Sequence, residues 1–222
     1  MADLMHTAAE EAEPGGRIRQ HRFQHQVKRA VDLTLGTILV IACSPVMLAV
    51  ATAIWIWEGR PILYPWHVVG QHGRLFHSWK FRTMVVDADQ QRKELLPYNE
   101  MQGPVFKIRA DPRITRIGRV LRKYSLDELP QLWSVVRGDM SLVGPRPPLA
   151  SEFAQFQSWQ KRKLSVVPGL TCLWQVQGRA DVTDFNEWVR MDLKYIDSWS
   201  LGLDFKILFQ TVFVVLRGKG AY

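Results

Sequence analysis

The apolar stretch LTLGTILVIACSPVMLAVATAIWIW, residues 33–57, decides the fold of this 222-residue chain. It contains 25 residues without a charge and lies between Asp32 and Glu58. As a straight helix, at about 1.5 Å per residue, it would be about 38 Å long, more than the roughly 30 Å of a bilayer's hydrocarbon core. It is too long for a signal-peptide core, and no small-residue cleavage site follows it. The stretch therefore predicts a membrane helix that the mature protein retains.

The flanking charges and the pair Ser44-Pro45 indicate how this helix meets the membrane. Residues 17–29, RIRQHRFQHQVKR, hold five Lys and Arg and no acid, a pattern that keeps the N-terminus in the cytoplasm. A single crossing would then place the rest of the chain outside, away from phosphorylated cytosolic substrates. Pro45 lies almost midway and removes a backbone donor, while Ser44 can bond a freed carbonyl. We therefore expect a re-entrant helix, broken at Ser44-Pro45; a Pro-kinked spanning helix is the alternative.

Composition excludes two classes of protein and indicates which kind of partner the chain binds. With 47% hydrophobic and 23% charged residues, the chain is neither a disordered polar protein nor a polytopic membrane protein. Its 29 Lys and Arg outnumber 21 Asp and Glu, for a net charge of +8, which favours anionic partners such as nucleic acid, phosphorylated metabolites or acidic lipid. The two cysteines, Cys43 and Cys172, are too few for a disulfide framework and are typical of a reducing compartment.

The chain divides into four segments. We predict a flexible acidic tail over residues 1–16, a basic juxtamembrane segment over 17–32, the re-entrant membrane helix over 33–57, and a cytosolic domain over 58–222. Short β-prone runs between residues 60 and 84 predict a hairpin, and residues 87–96 a polar helix. The last apolar segment, residues 203–220, is consistent with an interfacial amphipathic helix and equally with a buried core helix. The expected fold is a helix-dominated α+β monotopic membrane protein.

The basic surplus is concentrated in residues 107–123, KIRADPRITRIGRVLRK, which hold seven Lys and Arg and the single acid Asp111. A row of arginines recurs every three residues: Arg113, Arg116, Arg119 and Arg122. In a helix they would form one slowly drifting face suited to phosphate. The stretch lacks the aromatic residues of a single-strand stacking platform and any groove-reading motif, so we expect no nucleic-acid partner. A solvated or headgroup-facing surface is the alternative.

Two adjacent carboxylates, Asp127 and Glu128, follow in the stretch YSLDELPQLW, residues 124–133. The spacing Ser125-x-x-Glu128 matches a capping box and places both acids at a helix N-terminus, where their ionised forms are favoured. An ionised Asp127 can attack phosphorus to form an aspartyl phosphate, and both carboxylates are candidate ligands of a Mg²⁺ ion that neutralises a diphosphate. Ordinary helix capping by first-turn acids is the alternative.

A stiff loop, Gly-Pro-Arg-Pro-Pro, follows at residues 144–148. Its prolines, Pro145 among them, restrict the backbone. They could present Arg146 as a fixed bidentate donor to a phosphate or a base. A Pro-rich structural turn explains the loop equally well.

Several ordered motifs resemble those of the bacterial sugar transferase family, the monotopic polyprenyl-phosphate phosphoglycosyl transferases, over about residues 25–219. The motifs are KR-x-x-D at residues 28–32, Ser44-Pro45, KFRTM at 80–84, SLDELPQLW at 125–133, GDMSLVGPRPP at 138–148 and PGLTCLWQVQGR at 168–179. The chain resembles the short catalytic-core form of the family. The resemblance implies an enzyme on the cytoplasmic face of a bacterial inner membrane. It would move a sugar 1-phosphate from a UDP-sugar to polyprenyl (undecaprenyl) phosphate with Mg²⁺ and release UMP, the first membrane step of exopolysaccharide or glycoconjugate synthesis.

The resemblance also implies roles for individual residues. Asp127 would be the nucleophile that forms a covalent phosphosugar intermediate, and Glu128 would help to bind Mg²⁺. Arg146, beside Pro145, would contact the nucleotide. The further substrate-binding positions implied are Lys80, Arg122, Asp192 and Asp204.

Two other functions remain open at this point. A membrane-bound hydrolase of nucleotide diphosphosugars could use the same carboxylates to activate water and would not require a polyprenol. A non-catalytic basic membrane adaptor would need the apolar stretch and the arginine face but not Asp127. Besides the two substrates, the expected partner is inner-membrane lipid, and a homodimer is left open.

Overall fold

The structure, a computed structural model, describes residues 14–178 and 182–218, with side chains from residue 23 onward. In this part helices predominate over two small sheets, which confirms the helix-dominated α+β expectation. In chain order the elements are α1 (Pro14–Glu58), β1 (Leu63–Val69), β2 (Leu75–Phe81), α2 (Ala88–Leu95), α3 (Arg116–Lys123), α4 (Leu132–Arg137), β3 (Ser141–Val143), α5 (Ala150–Phe153), α6 (Ser158–Lys161), β4 (Gly169–Thr171), α7 (Leu173–Gly178), α8 (Phe185–Asp197) and α9 (Leu201–Arg217). Short 3-10 helices cover Gln71–Gly73, Leu96–Tyr98, Leu126–Gln131 and Arg162–Ser165.

Helix α1 contains the whole apolar stretch, and its part Phe23–Glu58 is long and apolar enough to cross a membrane. The helix continues on both sides of Pro45. Pro45 cannot donate to the carbonyl of Ile41, and the Ser44 hydroxyl donates to that carbonyl instead, at 2.7 Å. This confirms the expected role of Ser44. Of the predicted tail, residues 1–13 lie outside the described residues, and residues 14–16 begin α1.

Both halves of α1 pack against the rest of the protein, while the turns between them are exposed. In the first half, Leu35 and Val40 pack on a hydrophobic cluster that includes residues of α4 and β3. In the second half, Val50 and Ile54 are buried in a second cluster. Other large apolar side chains of this helix are exposed, on both sides of Pro45: Ile38, Leu39, Ile41, Val46 and Leu48.

The KR-x-x-D motif attaches the start of α1 to three other elements. Lys28 Nζ lies 2.6 Å from a carboxylate oxygen of Asp204 in α9. Arg29 donates to two last-turn carbonyls of α4, each at 2.7 Å. The Asp32 carboxylate accepts from a backbone N–H of β3 at 3.0 Å. Because these three side chains are bonded to three different elements, this motif fixes the orientation of α1 on the domain.

The predicted hairpin is confirmed, because β1 and β2 pair antiparallel. Its register sets Trp66 opposite Ser78 and Tyr64 opposite Lys80. Since side chains alternate along a strand, these four residues share one face of the hairpin. A second sheet consists of β3 and β4 in parallel, with Ser141 opposite Gly169.

The helix α9, for which two interpretations were open, exposes a row of large apolar side chains: Phe205, Phe209, Val212, Phe213 and Leu216. Its opposite side is buried at Asp204 and Ile207. A wholly buried core helix is therefore excluded, and the amphipathic interpretation remains.

The capping box predicted at Ser125 is wrong. Ser125 has φ +54° and its side chain makes no capping bond, so the acids lie on a 3-10 helix and not on the first turn of an α-helix. The left-handed residue turns the chain directly from α3 into this 3-10 helix.

The prediction of one continuous arginine face is wrong for its first member, Arg113. Helix α3 begins only at Arg116, because Thr115 caps it by accepting from a backbone N–H at 2.9 Å. Arg113 precedes the helix and is buried, with Nη2 at 2.6 Å from Asp111. Arg116 and Arg119 are exposed on α3, whereas Arg122 and the buried Arg113 both line the candidate site.

Candidate active site

The two adjacent carboxylates lie on the 3-10 helix Leu126–Gln131, and both border a cavity in the described part of the chain. Their apolar neighbours fix this turn, because Leu126 packs into the cluster beside the second half of α1 and Leu129 into the cluster beside the first half. Asp127 is only 9% exposed. Because Leu126 and Leu129 on either side of the pair are packed in apolar clusters, Asp127 is held in a buried position at the edge of the cavity.

Glu128 forms ion pairs with two cations from distant parts of the chain. Lys80 Nζ of β2 lies 2.8 Å from Glu128 Oε1, and Arg146 Nη1 lies 3.2 Å from the same oxygen. The Trp66 ring supports both cations, with Lys80 Nζ at 4.0 Å and the Arg146 guanidinium carbon at 5.4 Å from its centroid. Trp66 was not predicted as a site residue, although alternation along the hairpin places it on the same face as Lys80.

The charges of the site act on one another. Burial raises the pKa of Asp127 above its ordinary value, and the negative charge of Glu128 raises it further, while Lys80, Arg122 and Arg146 oppose the shift. Burial also lowers the pKa of Lys80, against the attraction of Glu128. Three cations thus surround two carboxylates, and the surplus positive charge suits a phosphorylated ligand.

The loop that carries Arg146 is held by the parallel sheet. Pro145 is fully buried, and its carbonyl accepts from the Gly169 N–H at 2.9 Å. The Gly144 N–H donates to the Thr171 carbonyl at 3.0 Å. The prolines and these two hydrogen bonds fix the backbone on both sides of the arginine, as the sequence predicted for a stiff loop.

The cavity has a volume of about 440 Å³, and its wall includes residues besides the carboxylates and their cations. Among them are Pro61, Arg82 and Thr83, near the end of α1 in the structure, and also Lys163 and Trp188. A cavity of this volume is within the range of small-molecule sites.

A sequence profile described as bacterial sugar transferase matches residues 23–218. The chain belongs to the bacterial sugar transferase family. All the residues of the cavity wall named above lie within the matched range.

Individual relatives support this assignment. The chain is 46% identical over 202 residues to the galactosyl transferase CpsE of Streptococcus agalactiae, and 43% identical over 213 residues to an undecaprenyl-phosphate galactose phosphotransferase of Salmonella typhimurium. These matches cover 90% and 92% of this chain but only 45% and 43% of the relatives. The exopolysaccharide production protein ExoY of Sinorhizobium fredii is 39% identical, with 88% of each chain covered. The chain thus spans less than half of the first two relatives and most of the third.

In this member of the family, the structure brings five of the predicted site residues together: Lys80, Arg122, Asp127, Glu128 and Arg146. Asp192 does not line the cavity, and its carboxylate instead lies 2.7 Å from Nζ of Lys163, which does. Both members of this pair are almost fully buried. Burial raises the pKa of Asp192, and the Lys163 charge opposes that shift. Lys163 was missed because it stands in a basic run, SWQKRKLS, that is typical of an exposed surface.

Asp204 lies apart from the cavity. Besides Lys28, its carboxylate accepts from the Tyr195 hydroxyl at 2.7 Å and from Trp199 Nε1 at 3.1 Å. Lys28 belongs to α1, Tyr195 to α8, and Trp199 to the connection between α8 and α9, so Asp204 links α9 to the other two helices.

The donor set at the carboxylates is suitable for Mg²⁺. This ion is usually held by one or two carboxylates together with substrate phosphates and water, so Asp127 and Glu128 suffice from the protein. Within residues 23–178 and 182–218, no group of three or more His, Cys, Asp or Glu forms a complete protein cage. A dication here would also offset the cost of ionising the buried Asp127.

Proposed function

We propose that this protein transfers a sugar 1-phosphate from a UDP-sugar to polyprenyl phosphate and releases UMP, at the cytoplasmic face of a bacterial inner membrane. One observation carries the proposal: a buried carboxylate, surrounded by three cations, borders a cavity whose wall includes Arg82, which is bonded to the end of the apolar helix. The Salmonella relative, an undecaprenyl-phosphate galactose phosphotransferase by name, supports the same reaction. The product would begin the synthesis of an exopolysaccharide or another glycoconjugate.

The proposed chemistry has two steps. In the first, a carboxylate oxygen of Asp127 attacks the phosphorus that carries the sugar, and the bond from that phosphorus to UMP breaks, so UMP leaves with the electron pair. In the second, an oxygen of the polyprenyl phosphate attacks the same phosphorus, and the bond to Asp127 breaks to restore the carboxylate. Lys80, Arg122 and Arg146 hold the phosphate oxygens in both steps. Mg²⁺ supplies charge neutralisation at the diphosphate when bound.

Exchange of labelled UMP into the UDP-sugar, with no lipid present, tests the first step by itself. We expect the purified protein with Mg²⁺ to catalyse this exchange for one sugar in a panel of UDP-sugars, because the covalent step is reversible. Removing the metal with EDTA should reduce the exchange at least about 10²-fold, since the diphosphate charge is then unshielded.

Two outcomes would contradict the proposal. Lipid-independent release of free sugar phosphate would indicate the hydrolase. No exchange or transfer with any donor, together with unchanged membrane binding by Asp127→Asn, would indicate the adaptor.

We further propose that α1 enters the membrane and returns to the same face. Val40 and Met47 pack on clusters that belong to the same catalytic domain. The turns between them would extend only about 10 Å as a helix, far less than the roughly 30 Å hydrocarbon core. A spanning helix would therefore have to lose one of these contacts, whereas a re-entrant helix keeps both.

Labelling of single cysteines tests this topology. In a Cys43→Ser, Cys172→Ser background, Gln26→Cys and Gln90→Cys place exposed thiols before and after the apolar stretch. We expect a membrane-impermeant maleimide to label both positions in inside-out vesicles and neither in intact spheroplasts. Labelling of position 90 in spheroplasts would mean that the helix spans.

A further inference from the structure

Arg82 carries a buried charge that the described protein satisfies only in part. Arg82 is only 5% exposed. Its Nη2 donates to the carbonyls of Glu58 at 2.7 Å and Gly59 at 3.0 Å. Its Nε and Nη1 are buried and have no hydrogen-bond partner among the residues that the structure describes. No carboxylate of that part of the chain lies within ion-pair distance of it.

A half-satisfied buried guanidinium is costly without a compensating anion. Buried polar groups are nearly always hydrogen-bonded, and an unpaired buried charge is among the most destabilising features of a fold. Arginine N–H groups form their strongest hydrogen bonds with phosphate and carboxylate oxygens. The two unpaired donors of Arg82, Nε and Nη1, therefore indicate an anionic ligand.

The position of Arg82 indicates which anion this is. Its two bonded carbonyls are the last residue of α1 and the residue that follows, so Arg82 is attached to the end of the apolar helix. It also lines the cavity next to Thr83, whose hydroxyl accepts from Nε of Arg122 at 2.9 Å. Arg122 in turn acts electrostatically on Asp127. Arg82 thus belongs to the cavity wall and is bonded to the end of the membrane helix.

We propose that Arg82 binds the phosphate of the lipid acceptor, an inference that rests on the function proposed above. A polyprenyl chain in the lipid presents its phosphate beside the end of α1, where Nε and Nη1 can donate to its oxygens. Lys80 and Arg146 are bonded to Glu128 and serve the donor diphosphate. In the second step Arg82 would hold the attacking phosphate while the bond from phosphorus to Asp127 breaks.

The donor diphosphate is the other possible source of phosphate, and two half-reactions separate the sources. Exchange of UMP into the UDP-sugar needs only the donor, whereas transfer of the sugar phosphate to polyprenyl phosphate needs both. For Arg82→Gln we expect exchange within about twofold of wild type, and transfer reduced about 10- to 100-fold through a higher KM for the lipid, the effect of losing a charged hydrogen-bond donor. Arg82→Lys, which keeps the charge, should show a smaller loss.

Arg190→Gln is the matched control. Arg190 is exposed on α8 and does not line the cavity, so its substitution removes the same charge and should leave both half-reactions unchanged. A similar loss in this variant would mean that general attraction to the membrane explains the effect, and would overturn the proposal.

The remaining outcomes are decisive. Equal loss of exchange and transfer in Arg82→Gln, or no loss in either, would overturn the assignment to the acceptor. If Arg82→Gln does not fold, the selectivity of Arg82→Lys decides: a higher KM for the lipid with unchanged exchange supports the proposal, and equal changes refute it. Absence of exchange in the wild-type protein would refute the proposed function itself, which is a separate result.

Discussion

Asp127→Asn is expected to lower kcat for sugar phosphate transfer at least about 10⁴-fold, because the amide that replaces the carboxylate is not a nucleophile. The two side chains have nearly the same shape, so the contacts of Leu126 and Leu129 that hold the turn should remain. Exchange of labelled UMP should be lost together with transfer, since both require the first step. Glu128→Gln, which keeps the nucleophile, should lose less.

The fold of this variant can be checked by its thermal stability. Burial holds the pKa of Asp127 above its ordinary value of 3.8. The stabilising contribution of its protonated form is therefore complete below that ordinary value and is lost as the pH rises through the higher folded-state value. At pH 7.5, without Mg²⁺, this raised pKa makes the Asp127 carboxyl group unfavourable for the folded protein. We expect the Tm of Asp127→Asn to be above that of wild type by about 2–4 °C, the shift that about 1 kcal/mol produces in a domain of this size.

The mass of the intact protein gives a direct measure of the covalent step. Wild-type protein incubated with the preferred UDP-sugar and no lipid should gain the mass of one sugar phosphate, and Asp127→Asn should gain none. Turnover of the variant within tenfold of wild type, or the same adduct on it, would place the nucleophile elsewhere.

Local sequence patterns correctly predicted those elements that depend on a single continuous stretch of the chain. The hairpin followed from β-prone runs around a turn, and α1 from 25 uncharged residues. The arginine row failed at Arg113 because periodicity does not show where a helix begins. Thr115 sets that start by capping α3, and Arg113 then pairs with Asp111 two residues away.

Pairings between distant residues could not be obtained in this way. Lys163 and Asp192 meet only because α8 packs against the 3-10 helix Arg162–Ser165, and nothing in either local sequence indicates the other. Asp204 was predicted as a site residue from its motif. It instead forms an ion pair with Lys28, 176 residues earlier in the chain, where α1, α8 and α9 meet. For Arg82 the sequence shows the residue type but not how many of its donors are satisfied.

Gly169→Ala is expected to have the largest effect on stability. A Cβ added to Gly169 would lie 2.0 Å from the backbone N and 2.5 Å from the backbone O of Gly144. Neither atom can rotate away, because the Gly144 N–H is bonded to Thr171 within the β3–β4 sheet. We expect the Tm to fall by about 10 °C or more, corresponding to a loss of about 4 kcal/mol or more in a domain of this size.

The same substitution should also stop turnover in any protein that still folds. The Gly169 N–H holds the carbonyl of Pro145, and Arg146 follows directly, so separating the two backbones would move the guanidinium away from Glu128. Gly202→Ala is the matched control. Apart from its chain neighbours and the backbone of its own helix, a Cβ added there would meet only the Ser200 hydroxyl oxygen, at 3.9 Å, among the described residues. Alanine is also favoured over glycine in a helix such as α9. Its Tm should equal or slightly exceed that of wild type. A Gly169→Ala protein with wild-type Tm and full turnover would mean that Arg146 does not depend on the close contact between Gly144 and Gly169 for its position.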